Sequence, residues 1–238
     1  MPGSPSDADV LAAVRDGSLD QQCVDDAAAR ILRLVDRAQA GAALATPPAA
    51  GAHHALAREA AGRSIVLLKN DGGILPLAKH VNLAVIGEFA VHPRYQGGGS
   101  SMIKPTRLDN ALDEIRSLAT GDVVLAAGFS SAVDVSSDES TRLRQEALTA
   151  AESADVPVGV LGLPARLESE GYDRDDIDLP AHQLQLLAAV LEVNPNTAVV
   201  LSNGGVVALP FAAEVPAILE GWLLGQAGGG AIADVLFG

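Results

Sequence analysis

Aromatic residues are nearly missing from this chain: one Trp, two Tyr and four Phe make up 3% of it. Any core must therefore be built from Ala, Val, Leu and Ile. The apolar fraction of 48% over 238 residues suffices for one sizeable core, or a core with a small appendage. Cysteine occurs once, which excludes an internal disulfide. Cys23 lies in a helical pattern where a small buried residue fits, so its expected role is packing. Basic residues are also scarce, 16 against 30 acidic ones, for a net charge of −14. Such a chain repels phosphate backbones, which argues against nucleic acid as a partner. No Cys and His cluster at metal-ligand spacing. No apolar run reaches the roughly 18 residues that a membrane helix needs. The start, "MPGSPSDADV", lacks the basic and apolar stretches of a secretory signal. The expectation is a soluble cytoplasmic chain without a membrane partner.

What is present is ordered along the chain. Ser18 followed by Gln21 reads as a capping box, with Val24, Ala27, Ile31, Leu34, Val35 and Ala38 at helical spacing behind it and Gly41 as the stop. "GAALATPPAAGAHH", residues 41–54, is small, proline-containing and aperiodic, and reads as a linker. A helix over "HALAREAAGRSIVLLKN" then leads to "VNLAVIG", a short apolar run. Similar runs recur at "DVVLAAG", "VPVGVLG", "TAVVLSNG" and "VPAILEGW", separated by amphipathic stretches at Leu108–Leu118, Glu139–Ser153 and Pro180–Val193. Strands apolar on both faces, alternating with helices, indicate a parallel sheet covered on both sides. The predicted fold from about residue 55 onward is α/β, a three-layer α/β/α sandwich around a mostly parallel sheet of five to six strands.

In such sheets function gathers in the loops after the C-terminal strand ends. Two of these stand out: "EFAVHPRYQGGGSSMIKP" after the first strand, and "LESEGYDRDDIDLP" after the third. Both fall on one rim. "YQGGGSS" lacks the G-x-G-x-x-G spacing and no G-K-[ST] follows, so it suits a backbone-lined wall for a polar, uncharged ligand better than a phosphate cradle. The acidic stretch is open to two readings. It is either a solvated turn capping the helix near Pro180, or it holds one glutamate at the rim as a general acid whose pKa is raised by burial and neighbouring carboxylates. His53, His54, His80, His92 and His182 stand singly or in the linker, where surface or packing roles account for them. Lys79-His80 lies in a turn before a strand. No G-x-S-x-G supports a serine hydrolase.

Five motifs in order, "AGRSIVLLKNDGGILPL", "QGGGSS", "ESEGYDRDDIDLP", "NPNTAVVLSNGGVVALPF" and "VPAILEGWLLGQAGGGAIADVLFG", resemble the C-terminal α/β sandwich domain of family 3 glycoside hydrolases, of the β-glucosidase and β-xylosidase type. The first forty residues are similar to the end of that family's N-terminal (β/α) barrel, which makes residues 1–40 two leftover barrel helices, 41–54 a linker and 55–238 the sandwich domain. Met1 then looks internal, and the chain stops before a final G-x-L-P strand, as a fragment would.

The resemblance implies retaining hydrolysis of a β-linked oligosaccharide or aryl glycoside, with no cofactor. A barrel aspartate attacks, and a glutamate from the sandwich domain serves as acid/base. Glu170, directly before Gly171, best matches that glutamate; Glu168 competes, because some branches place it about two positions earlier. Gln96, Gly99 and Ser100 match the loop bordering the sugar pocket, with Ser100 where some relatives carry an aromatic wall. Asp173 and Arg174 match residues that brace the loop. No segment supplies the nucleophile, so the chain alone is expected to be inactive, with a barrel as its partner. The alternative is a non-catalytic carbohydrate-binding or assembly module that pairs with a separate barrel. An apolar patch on the first helices would favour self-association.

Overall fold

The computed structural model describes residues 6–43, 46, 49–100, 102–132 and 134–238. The "MPG" start, the Leu44-Ala45 and Pro47-Pro48 pairs of the linker, and Ser101 of the glycine loop lie outside the described residues. The chain forms two compact units, divided between Ala49 and Ala50.

The first unit contains α1 (Asp7–Asp16) and α2 (Gln21–Ala43). Gly17, at φ +79°, ends α1. Ser18 does not cap α2: its N–H and hydroxyl turn back to Asp16 and Ala13. Asp20 takes that place, its Oδ1 accepting from Gln22 N at 2.9 Å. Gly41 does not stop α2 either, since one helical glycine costs only about 1 kcal/mol. The expected patch is there, because Leu11, Ile31, Leu32, Leu34 and Val35 are all exposed. Cys23 is exposed too, against the packing role expected of it. Helical periodicity marked a face but not what covers it.

The second unit opens with α3 (Ala50–Ser64), which takes in the last part of the expected linker. Its helix ends before "IVLLKN", where β1 (Val66–Asn70) begins. Residues 66–70 are thus a strand and not the tail of a helix, held in place by pairing with the last strand of the sheet. Five parallel strands follow: β2 (Leu83–Ile86), β3 (Val123–Ala126), β4 (Val156–Gly162), β5 (Ala198–Ser202) and β6 (Ala217–Glu220). Their order is β1-β6-β5-β4-β2-β3, with β1 antiparallel to β6 at one edge. β2, β5 and β6 are buried throughout, as a sheet covered on both faces requires. β3, at the other edge, leaves Val124 and Leu125 exposed, so the two-faced burial expected of every run fails there.

α4 (Ala111–Leu118) starts where Asn110 accepts from Asp113 N, and buries Leu112 and Ile115. α5 (Ser137–Ser153) starts where Ser136 accepts from Glu139 N, and buries Leu143, Ala147 and Ala151. α6 (Ala181–Val193) buries Gln183, whose amide clasps both backbone groups of Gly162 at 3.0 Å and so fixes the end of β4. α7 (Gly228–Phe237) begins with three glycines that conceal it in the sequence. The packing explains them. A Cβ on Gly229 would lie 2.4 Å from the Asn110 backbone, and one on Gly230 would lie 2.5 Å from the Arg58 guanidinium. Arg58 bonds Asp234 and Glu114, tying α3, α7 and α4 together. His54, assigned to the linker from sequence, is a buried residue of α3 that bonds Asp109 at 2.8 Å and Gln226 at 2.9 Å.

Among the described residues no helix is long and apolar enough to cross a membrane, and no group of three or more His, Cys, Asp or Glu is placed to hold a metal.

Candidate active site

The strand order reverses between β2 and β4. The chain leaves β2 for β3 on one side and returns to β4 on the other, which opens a crevice at the carboxyl ends of these two strands. The glycine loop and the acidic loop rise from its two walls. They meet in a single parallel bridge between Gly98 and Ser169, where Glu170 N donates to Gly98 O at 3.4 Å.

Glu170 stands on this junction, exposed. Its Oε2 accepts from Ser100 N at 2.7 Å and from the Ser100 hydroxyl, while Oε1 has no hydrogen-bond partner among the described residues. The Ser100 hydroxyl and then its N–H hold the Glu170 carboxyl below the usual range. The expected upward shift is therefore wrong for this conformation: the carboxylate lies at the surface, and its strongest neighbour is a donor pair rather than other carboxylates. Gly99 permits the approach with φ +94°, since a Cβ there would sit 2.5 Å from Glu170 Cβ.

Glu168 has a different environment. Its carboxylate accepts from Gly204 N at 2.8 Å and from Gly205 N, and Arg94 lies 3.5 Å away. Both oxygens are occupied, and the residue ties the acidic loop to the turn after β5. Arg94 also donates to Leu163 O at 2.8 Å. Gln96 spends its amide within its own loop, with Oε1 accepting from Ile103 N at 2.8 Å and Nε2 donating to Ile103 O at 3.0 Å. Arg174 donates to Val206 O at 2.7 Å, which braces the acidic loop as its motif suggested.

Residues 65–238 match the glycosyl hydrolase family 3 C-terminal domain. The chain belongs to that family. A thermostable β-glucosidase B of Acetivibrio thermocellus is 44% identical over 98% of the chain, and an exo-α-(1→6)-L-arabinopyranosidase of Bifidobacterium longum is 43% identical over all of it. The crystal structure of a family 3 β-glucosidase from Bifidobacterium adolescentis superposes with a TM-score of 0.87, at 44% identity over the whole chain. The chain spans about a third of these relatives, 31%, 32% and 35% of their respective lengths.

Four further positions of this rim went unread in the sequence. Arg94 and the Gly204-Gly205 pair, which hold Glu168, carry no local signature. Glu220 did carry one, a charge closing the apolar run "VPAIL". It is buried at the end of β6 and accepts from Trp222 N at 2.9 Å. Burial pushes its carboxyl up, and the charge of Glu168 adds to that, against the pull of Trp222 N–H and Asn203. Trp222 follows with φ +52°, a conformation non-glycine residues seldom adopt and one that clusters at functional sites.

Proposed function

We propose that the chain supplies the acid/base half of a retaining β-glycosidase site, with Glu170 as the acid/base and Glu168 as the residue that positions its loop. The observation that carries this reading is the contrast between two carboxylates two residues apart. Glu168 has both oxygens occupied by backbone donors, whereas Glu170 keeps Oε1 open at the crevice. A proton shuttle needs an oxygen that is free to reach the substrate.

In the retaining reaction a carboxylate attacks the anomeric carbon while Glu170 Oε1 delivers a proton to the departing glycosidic oxygen. The same oxygen then takes a proton from the water that breaks the glycosyl–carboxylate bond. Ser100 favours the ionised form, which suits the second half-reaction. Covering the rim by a second body would desolvate Glu170 and raise its pKa for the first. The attacking carboxylate is the barrel aspartate that the family resemblance implies, and the substrate is a β-linked oligosaccharide or aryl glycoside. Ser100 and Gly99 fit the pocket wall by position. Gln96 supports that wall through Ile103 rather than offering its amide to a sugar.

The test mixes the purified chain with a separately produced family 3 barrel and follows release of nitrophenol from a nitrophenyl β-glucoside. The chain alone gives no turnover and the mixture does. Glu170→Gln removes the activity of the mixture and azide restores it, as befits a lost acid/base, while Glu168→Gln is not rescued. Turnover by the chain alone at the mixture's rate, or a Glu170→Gln mixture as fast as the parent, refutes the assignment. A chain that binds glucose at millimolar affinity yet never completes a barrel is instead a carbohydrate-binding module.

A further inference from the structure

A second concavity, of about 360 Å³, opens beside the acidic loop between the loop after β3 and the starts of α5 and α6. Arg144 of α5, Arg166 of the turn Ala165–Leu167, His182 of α6, and the hydroxyls of Ser130 and Ser140 line it. No Asp or Glu among the described residues does, in a chain that carries 30 of them and a net charge of −14. Neither Arg144 nor Arg166 makes an ion pair or a side-chain hydrogen bond among the described residues, so both guanidinium groups are available to a ligand, unlike that of Arg142 on the same helix as Arg144, which is held by Glu139 and Glu146. The acidic residues of the first turn of α5 do not fill the gap: Asp138 and Glu139 are outside the lining, and Glu139 is bonded to Arg142 at 2.6 Å.

Arg144 and Arg166 are exposed, and what marks the place is that two guanidinium groups, an imidazole and two hydroxyls converge on one concavity, a set of donors that suits an anion. The hydroxyls point the same way. Ser130 Oγ accepts from Ala132 N, which leaves its proton free, and Ser140 Oγ makes no hydrogen bond among the described residues. The positive end of α5, a 17-residue helix, adds to the attraction. His182 packs on Phe129 with ring centroids 5.7 Å apart, which fixes its imidazole at the wall. Burial first, and the charge of Arg166 second, push its pKa down.

We propose that this cavity binds a phosphate-bearing small molecule, with the Arg144 and Arg166 guanidinium groups on the phosphoryl oxygens and Ser130 and Ser140 donating beside them. A phosphate monoester carries close to two charges and three equivalent oxygens, which suits two guanidinium forks better than a single carboxylate does. The volume falls at the small end of the roughly 300–1,000 Å³ common for ligand pockets, with room for a sugar next to the phosphate. The proposal stands apart from the roles given to Glu168 and Glu170, although Arg166 sits just ahead of them in the chain.

Titration calorimetry of the whole chain at low salt, with glucose 6-phosphate, inorganic phosphate and glucose, tests it. Glucose 6-phosphate is expected to bind at millimolar affinity or better, more weakly as salt rises, and to move the NMR titration of His182 upward. Arg144→Ala and Arg166→Ala each weaken it by roughly tenfold or more, the size of one lost hydrogen bond to a charged group. Arg142→Ala, at an arginine already paired on the outer face of α5, leaves it unchanged. Equal binding of inorganic phosphate keeps the phosphate grip and assigns the cavity to the free ion. Binding of glucose as tight as that of its phosphate, no binding of either phosphate, or full affinity in variants whose circular dichroism is native overturns the proposal.

Discussion

Ser100 donates twice to one oxygen of Glu170, through its backbone N–H at 2.7 Å and through its hydroxyl. The two residues are far apart in the chain, and this contact lies beside the Gly98–Ser169 bridge that joins the glycine loop to the acidic loop. It also sets the protonation of the carboxyl. Ser100→Ala removes the larger of the two causes that hold Glu170 below 4.5 and leaves the N–H in place, so the titration point should rise toward the ordinary value. Carbon-detected NMR of the Glu170 carboxyl reads the change directly, and an unmoved titration would mean that the hydroxyl is not bonded in solution.

The two glutamates of the motif should separate cleanly by stability. Glu168→Ala strands the N–H groups of Gly204 and Gly205 and leaves Arg94 without its carboxylate. Losing partners for such groups costs about 1–3 kcal/mol. Glu170→Ala removes an exposed side chain and should stay within about 0.5 kcal/mol of the parent. Urea unfolding of both variants decides it; a Glu168→Ala loss within about 0.5 kcal/mol would mean that Glu168 carries none of the loop's anchorage.

Gly99→Ala attacks the same junction through the backbone. The residue sits at φ +94°, and its new Cβ would lie 2.5 Å from Glu170 Cβ, so the alanine is strained and the loops must part. A cost of about 1–3 kcal/mol is expected. More telling, the Glu170 titration should rise as in Ser100→Ala, because the donor moves away with the loop. A stability loss with an unchanged titration would place the strain elsewhere.

Much of this architecture can be read from the sequence, for physical reasons. Four of the parallel strands announce themselves as short apolar runs because a sheet covered on both faces leaves them no polar side, and β3 is equally apolar although its edge leaves Val124 and Leu125 exposed. The shared rim of the two loops follows from parallel pairing alone. β1 escapes because "SIVLLKN" continues a helical run without a break, and only its pairing with β6 decides its state. α7 escapes because its glycines answer to Asn110 and Arg58, residues far away in the chain. The roles within "ESEG" stay open in the sequence for the same reason. What separates Glu168 from Glu170 is the turn after β5 on one side and Ser100 on the other, and neither contact has a local signature. Glu220 was legible in principle, as a charge at the end of an apolar strand.

Glu220 gives the pH dependence that this fold should show. Its carboxyl is buried at the end of β6, and burial raises its pKa above 4.5. The folded chain therefore binds that proton more tightly than the unfolded chain does. The charged form weighs against folding at every pH above the raised value. That penalty is relieved as pH falls through the raised value and is gone below 4.5. Glu220→Gln removes the charge and keeps an oxygen for Trp222 N. Its new amide nitrogen lies near Asn203, whose buried Oδ1 has no hydrogen-bond partner among the described residues. The variant should melt a few degrees above the parent at pH 8, and the gap should narrow steadily as the melts are repeated toward pH 4.5. A gap that holds constant across that range would mean the gain comes from packing and that Glu220 is not carried as a desolvated charge; a lower melting temperature at pH 8 would mean that the carboxylate stabilises the rim.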